Sequence, residues 1–222
     1  MKYVKQFLEY FRAFPTFTAN DARLFLQKGG ANSDYYMIFM HNLIKSGRAF
    51  SIKKGYYTLY DDLTIASFAF SPFYFGLETA LTYHNLWDYM TPISIITTKT
   101  VRSGQREIIG RNVDVRRIQK SKFFGYSMVQ YKDGFYMPMA DIEKTLIDSV
   151  YFHTIFSKEV YANMSRKIDK KKLDMYLRSY DKEFRVRAHG RLQDVSDDVL
   201  YAIATERIIK DVKNRKKVHG LS

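Results

Sequence analysis

Val4, Phe7, Leu8 and Phe11 recur at intervals of three and four, the spacing of one helical face, and predict a helix over residues 2–13 that Pro15 stops. Thr18 stands where an N-cap belongs, with Asp21 three places on. This is a partial match to a capping box, which prefers Glu or Gln at that position. A second helix is expected over 19–28, with Ala22, Leu24, Phe25 and Leu26 apolar and Gly29-Gly30 ending it. Ser33 or Asp34 is expected to cap a third helix, 34–46, whose inward stripe reads Tyr36, Met40, Leu43 and Ile44 with Phe39 flanking. Gly47 closes it, and residues 48–59 then read as two short strands about a Lys53-Lys54-Gly55 turn. Three helices followed by a hairpin is the order of a winged helix-turn-helix.

Beyond residue 60 the pattern changes. A helix is predicted over 75–90, with Leu77, Ala80, Leu81 and Leu86 near one face, and a strand over 93–98 after Pro92. Residues 105–118 read as a hairpin turning at Gly110-Arg111-Asn112, with Glu107, Asp114 and Arg116 facing out between Val113, Val115 and Ile118. Another strand pair is expected over 123–139 around Lys132-Asp133-Gly134. Asp141 then caps a helix to Phe152, and helices are expected at 157–166, 169–180 and 196–214 before a frayed basic tail at 213–220. The aromatic runs Phe73-Tyr74-Phe75 and Phe123-Phe124-Gly125-Tyr126 read as packing. The reading is therefore α+β: an N-terminal winged helix-turn-helix, residues 1–62, followed by a mixed α/β domain, 63–222, with a small, largely antiparallel sheet and a helical C-terminal part.

Charge adds a partner class. The net charge is +13, and residues 1–60 carry nine Lys/Arg against three Asp/Glu, residues 61–150 ten against ten, and residues 151–222 seventeen against ten. Two basic ends around a neutral middle favour polyanions, because neutralised phosphates release their counterions. There are no cysteines, no leader-like apolar run at the N-terminus and no apolar stretch long enough to span a bilayer. A reducing cytoplasm is the expected location. The 18 Tyr and 17 Phe lack an RNP-like strand motif and are assigned to core packing, not to base stacking.

With that inward stripe, the outer face of the third helix carries Ser33, Asp34, Tyr35, Ile38, His41, Asn42 and Lys45. Asn42 can pair with adenine through two hydrogen bonds, Tyr35 and Ile38 can touch a thymine methyl, and Lys45 suits a phosphate. Lys53 and Lys54 at the wing tip are placed to hold the flanking backbone, supplying affinity without sequence choice. Two features pull the other way: no arginine lies on that face, and Asp34 repels phosphate unless its carboxylate caps the helix. The alternative is a winged helix that docks on a protein. Lys167, Lys170, Lys171, Lys172, Arg178, Arg185, Arg187 and Arg191 form a second basic run. It reads equally as a nucleic-acid surface or as a solvated face balanced by Asp169, Asp174, Asp181 and Glu183.

No catalytic pattern emerges. The five histidines, at 41, 84, 153, 189 and 219, lack a second ligand at metal-binding spacing. No phosphate-cradling glycine loop or nucleophile elbow is present. Ser103-Gly104 reverses the Gly-Ser of a nucleotidyltransferase, and Asp114 stands alone. A metal-dependent nuclease is the remaining enzymatic reading: Asp169-Lys170-Lys171 has the spacing, but at a predicted helix start. The expectation is a non-enzyme without metal or cofactor.

Several segments resemble one family. Phe14-Pro15-Thr16-Phe17-Thr18-Ala19-Asn20-Asp21, Leu43-Ile44-Lys45-Ser46-Gly47 and Ile52-Lys53-Lys54-Gly55-Tyr56-Tyr57 are similar to the front of AbiEi-type antitoxins, the transcriptional regulators of abortive-infection, type IV toxin–antitoxin systems. Leu77-Glu78-Thr79-Ala80-Leu81-Thr82-Tyr83-His84-Asn85-Leu86 and the strand 93–98 resemble the next part of that family. Ala140-Asp141-Ile142-Glu143-Lys144-Thr145-Leu146-Ile147-Asp148 resembles its Glu-Lys-Thr-Leu-x-Asp signature. The resemblance covers residues 10–150 and implies a repressor that binds operator DNA near its own promoter. It also implies a C-terminal domain that counters a nucleotidyltransferase-like toxin without a stable complex. Chemically the signature reads as structure: Asp141 caps, Glu143 suits the helix's positive end, Lys144 and Asp148 pair four apart, Thr145 bonds back to a carbonyl and Leu146 is core.

Overall fold

In the computed structural model, residues 3–192 are described. The chain divides into two compact units, residues 1–80 with 89–141 and residues 81–88 with 142–222. The expected helix at 196–214 and the basic tail lie outside the described residues.

The first unit opens with α1 (Val4–Phe11), β1 (Phe17–Thr18), α2 (Ala19–Lys28), α3 (Tyr35–Lys45), β2 (Phe50–Lys53) and β3 (Tyr56–Thr58). The three strands form a small antiparallel sheet in the order β1-β3-β2. Entry into α2 is fixed by a complete capping box. The Asp21 N–H donates to Thr18 Oγ1 at 3.1 Å, and the Thr18 N–H donates to Asp21 Oδ2 at 2.8 Å. Asp therefore closes the box that the sequence showed only in part. Phe7, Phe11, Phe17, Ala22, Leu26, Phe39, Met40, Leu43 and Ala49 make the core. Phe7 is its hub, with ring centroids 4.4 Å from Phe11, 5.5 Å from Phe17, 5.4 Å from Phe25 and 5.0 Å from Phe39.

Asp62 starts α4 (Leu63–Ala66), which runs into a 3-10 turn, Ser67–Phe70. The strands β4 (Phe73–Phe75), β5 (Ile93–Thr97), β6 (Gly104–Ile108), β7 (Arg111–Arg117), β8 (Tyr126–Gln130) and β9 (Tyr136–Ala140) build a six-stranded sheet, with α5 (Leu77–Tyr83) between β4 and β5 in sequence. The order is β6-β7-β5-β4-β9-β8; β5 with β7 and β4 with β9 are parallel, and the other three pairs are antiparallel. The α+β architecture read from the sequence is the one observed, and the sheet is mixed. Strand β4, like the short β1 and α4, is an element the hydrophobic pattern does not reveal. All three of its residues are buried, so the polar alternation that marks a half-exposed strand is missing.

Asp62 ties this unit together chemically. Its Oδ1 accepts the N–H groups of Thr64 at 2.8 Å and Ile65 at 3.2 Å, while Oδ2 accepts the Tyr131 hydroxyl at 3.1 Å and pairs with Lys132. Burial works to raise this carboxyl, but the Lys132 ammonium, the Ile65 N–H and the Tyr131 hydroxyl outweigh it and hold it below the usual carboxylate range. A depressed folded-state pKa gives stability that is complete above the unfolded value and lost as pH falls through the folded one. We expect the urea midpoint of the wild type to drop more steeply below pH 4 than that of Asp62→Asn, which has no carboxyl to protonate. Parallel pH profiles for the two proteins would contradict this.

The second unit is helical: α6 (Ile142–Tyr151), α7 (Lys158–Lys167), α8 (Lys170–Leu177) and α9 (residues 182–192). Ser157 caps α7 by accepting the Val160 N–H at 3.3 Å, and Asp169 caps α8 by accepting the Lys171 N–H at 2.9 Å. Helix α6 is buried on every side from Glu143 to Val150. Within it Lys144 Nζ meets Asp148 Oδ1 at 2.5 Å, both side chains fully excluded from solvent. Glu143 accepts the Asp169 N–H at 2.8 Å and pairs with Lys172 at 3.1 Å, joining α6 to α8.

Candidate nucleic-acid interface

Helix α3 turns Phe39, Met40 and Leu43 into the core. This phase differs from the sequence reading by about one position. Ile44, expected inward, is 38% exposed, and Met37, not singled out, is 56% exposed. Tyr35, expected to reach out to a base, is half-buried, and its ring lies 6.0 Å from Tyr3 and 5.9 Å from Phe39. Asn42 is half-buried, whereas Ser33, Ile38, His41 and Lys45 are exposed. The outer face is therefore Met37, Ile38, His41, Ile44 and Lys45. The spacing from residue 37 through 41 to 44 and 45 is itself helical, but so is that of the stripe expected from the sequence. Asp34 occupies the N-cap position, but its side chain makes no capping bond, and it is exposed at the helix's leading end. The carboxylate is thus not absorbed by the helix terminus as the DNA reading wanted.

The wing departs from expectation at one lysine. Gly55 takes φ +76° in the β2–β3 turn, and Lys54 beside it is exposed, as the tip position requires. Lys53 is not at the tip. The register of β2 shifts between Ser51 and Lys53, which places Lys53 opposite Tyr56. Its ammonium donates to the Ala69 carbonyl at 2.9 Å and sits 4.2 Å above the Tyr56 ring and 4.6 Å from the centre of Phe70. Burial, then repulsion from Lys99 and Arg106, pushes its pKa down. Lys53 faces the six-stranded part of its own unit, through a partner sixteen residues away that no local pattern signals.

The second basic run is spread over three helices of the second unit. Lys167 donates to the His84 carbonyl at 2.9 Å, Lys172 is held by Glu143, and Arg185 Nε donates to the Tyr180 carbonyl at 2.9 Å. Arg187 lies over Phe184 and Arg191 over Tyr161, each at 5.7 Å. Lys170, Lys171 and Arg178 are exposed. Asp169, the acid of the nuclease-like triplet, is engaged as the α8 cap. Among the described residues no group of three His, Asp or Glu side chains is placed to hold a metal, and no helix is long and apolar enough to cross a membrane.

This arrangement defines a class by fold: a helix-turn-helix-like N-terminal region with adjoining strands, followed by a larger mixed sheet and C-terminal helices. No known family profile matches the sequence, and no curated protein matches it. The fold is similar to the crystal structure of RV2827C protein from Mycobacterium tuberculosis, with a TM-score of 0.58 at 13% identity, covering 88% of this chain and 78% of that one.

Proposed function

We propose that this chain is a DNA-binding transcriptional regulator that acts in the cytoplasm and represses its own operon. In this proposal it is an antitoxin of the AbiEi type, countering a nucleotidyltransferase-like toxin without a stable complex and without catalysis of its own. The observation that carries the reading is the orientation of α3. The helix buries Phe39, Met40 and Leu43 and leaves Ile38, His41 and Lys45 outside, with the Lys54 wing tip also exposed. In the proposed complex α3 lies in the major groove, Ile38 meets a thymine methyl, and Lys45 and Lys54 take phosphates.

A retardation series against the DNA upstream of the gene, run over a range of salt, tests this. Affinity should fall linearly on a log–log plot against salt. Lys45→Glu with Lys54→Glu should weaken binding to every sequence about tenfold or more and make the plot shallower by roughly two counterions. Ile38→Ala should instead change which sites are preferred. Unchanged affinity in the double variant would remove the docking geometry.

A second reading has its own observation. Met37, Ile38 and Ile44 put three exposed apolar side chains on α3 with a single lysine among them, a composition that also suits docking on a protein. Absence of salt-dependent retardation at low ionic strength would favour it.

A further inference from the structure

Three cations of the first unit converge where a protein normally places a counter-ion. Lys53 comes from the end of β2, Lys99 from just after β5 and Arg106 from the middle of β6. Lys53 Nζ and Lys99 Nζ donate to the same acceptor, the Ala69 carbonyl, at 2.9 Å and 3.3 Å, so the two ammonium groups are neighbours. Both face the Tyr56 ring, at 4.2 Å and 5.6 Å from its centre. Arg106 lies over Phe70 at 5.7 Å, on the ring that Lys53 also approaches. All three side chains are half-buried.

Among the described residues no acid answers them, and none of the three makes an ion pair. Asp114 is bound to Arg116 at 2.7 Å, and Asp61 is bound to Arg111. Glu107, next to Arg106 in β6, points to the opposite face of the strand by simple alternation. One Arg106 nitrogen, Nη2, is taken by the Arg102 carbonyl, but Nε is buried and makes no hydrogen bond. A buried guanidinium N–H without an acceptor is costly, and so is a set of like charges drawn partly out of water. Two carbonyls, of Ala69 and Arg102, and two aromatic faces offset this only in part. An acceptor-rich anion offsets the repulsion, because it neutralises the cluster and can accept from the donors that remain accessible.

We propose that Lys53, Lys99 and Arg106 form a binding site for a phosphate-class oxyanion, with Arg106 supplying a directed donor and the two lysines point charge. The site stands on its own residues and does not require α3 to enter a DNA groove. Its anion is either a free phosphate group or one phosphate of a nucleic-acid backbone, and the two are separable by experiment.

The test uses the full chain, inorganic phosphate and sulfate as probes, and chloride at equal ionic strength as reference. Phosphate and sulfate should raise the Tm saturably, by about 3–6 °C when the anion stands at about ten times its dissociation constant. Lys99→Gln and Arg106→Gln should each weaken that response about tenfold. Without anion their Tm should be equal to or above that of the wild type, because each variant removes one repelling charge. A purely structural arginine or lysine would instead lower the anion-free Tm. The same variants are then tested against duplex DNA. If phosphate saturates at millimolar levels or below while DNA affinity is unchanged, the ligand is a free phosphate group. If phosphate binds only at tens of millimolar while the DNA salt plot becomes shallower by about one counterion, the site clamps a backbone phosphate. A response no greater than that of chloride, or one equally large in both variants, overturns the proposal.

Discussion

Asp148→Ala is expected to destabilise the chain by about 3–5 kcal/mol, because it removes the carboxylate that pairs with the Lys144 ammonium in an interior that excludes water. Lys144 and Asp148 are both fully buried and meet at 2.5 Å, one turn apart on α6, a helix buried from Glu143 to Val150. A buried charge that loses its opposite charge keeps its desolvation penalty without the Coulombic gain that offset it. The single variant should therefore lose roughly 6–20 °C in Tm for a chain of this size. The informative comparison is the double variant Lys144→Met, Asp148→Leu, which removes both charges and fills the space with carbon. Replacing a whole buried pair by apolar residues of similar volume is often neutral or stabilising. The double variant should thus recover most of what Asp148→Ala loses. Urea midpoints of the four proteins of the cycle supply the check. If the double variant is as unstable as the single one, the pair's other contacts govern this helix and the ion-pair account is wrong.

That pairing was legible from the sequence as a four-residue spacing, but its burial was not. Charged side chains four apart on a helix most often face water, and only the exclusion of every position from Glu143 to Val150 shows otherwise. Helices α1 and α2 were legible for a similar local reason, since Thr18 and Asp21, Gly29-Gly30 and Pro15 punctuate the chain wherever they occur, whereas α4 was read as a connection. The phase of α3 was not legible. Phe39, Met40, Leu43 and Ile44 are all apolar, so two stripes one position apart satisfy the same periodicity. Which one is buried depends on where Phe7 stands, and that is a tertiary fact. Strand β4 escaped for the converse reason, being apolar at every position.

Of the candidate interface, the exposure of Ile38, His41, Lys45 and Lys54 followed from the pattern, and that of Met37 and Ile44 did not. Lys53 was misplaced because a residue next to a Lys-Gly turn is ordinarily at the tip. The register shift after Ser51 and the Ala69 carbonyl turn it inward instead. The three-cation cluster that results is assembled from residues 53, 99 and 106, separations at which single-sequence patterns carry no information.

Phe7→Ala is the change expected to couple stability most directly to the proposed DNA contact. Phe7 is fully buried and its ring touches those of Phe11, Phe17, Phe25 and Phe39, so it links α1 to β1, α2 and α3. Truncation removes these contacts and leaves a cavity that four rigid rings cannot collapse to fill. The expected loss is about 3–5 kcal/mol, near the upper range for a core phenylalanine. Because Phe39 sits on the buried face of α3, loss of its neighbour releases the helix whose other face carries Ile38, His41 and Lys45. Operator retardation should therefore fall in Phe7→Ala even at temperatures where the six-stranded sheet remains folded. Phe7→Leu retains most of the volume, should cost under about 1.5 kcal/mol, and should retain binding. Chemical denaturation followed by near-ultraviolet circular dichroism reports the aromatic packing, and retardation at matched temperature reports the contact. If Phe7→Ala costs less than about 1 kcal/mol, the aromatic cluster does not hold α3 in place. If it costs the full amount but retardation persists unchanged, DNA is held by some surface other than α3.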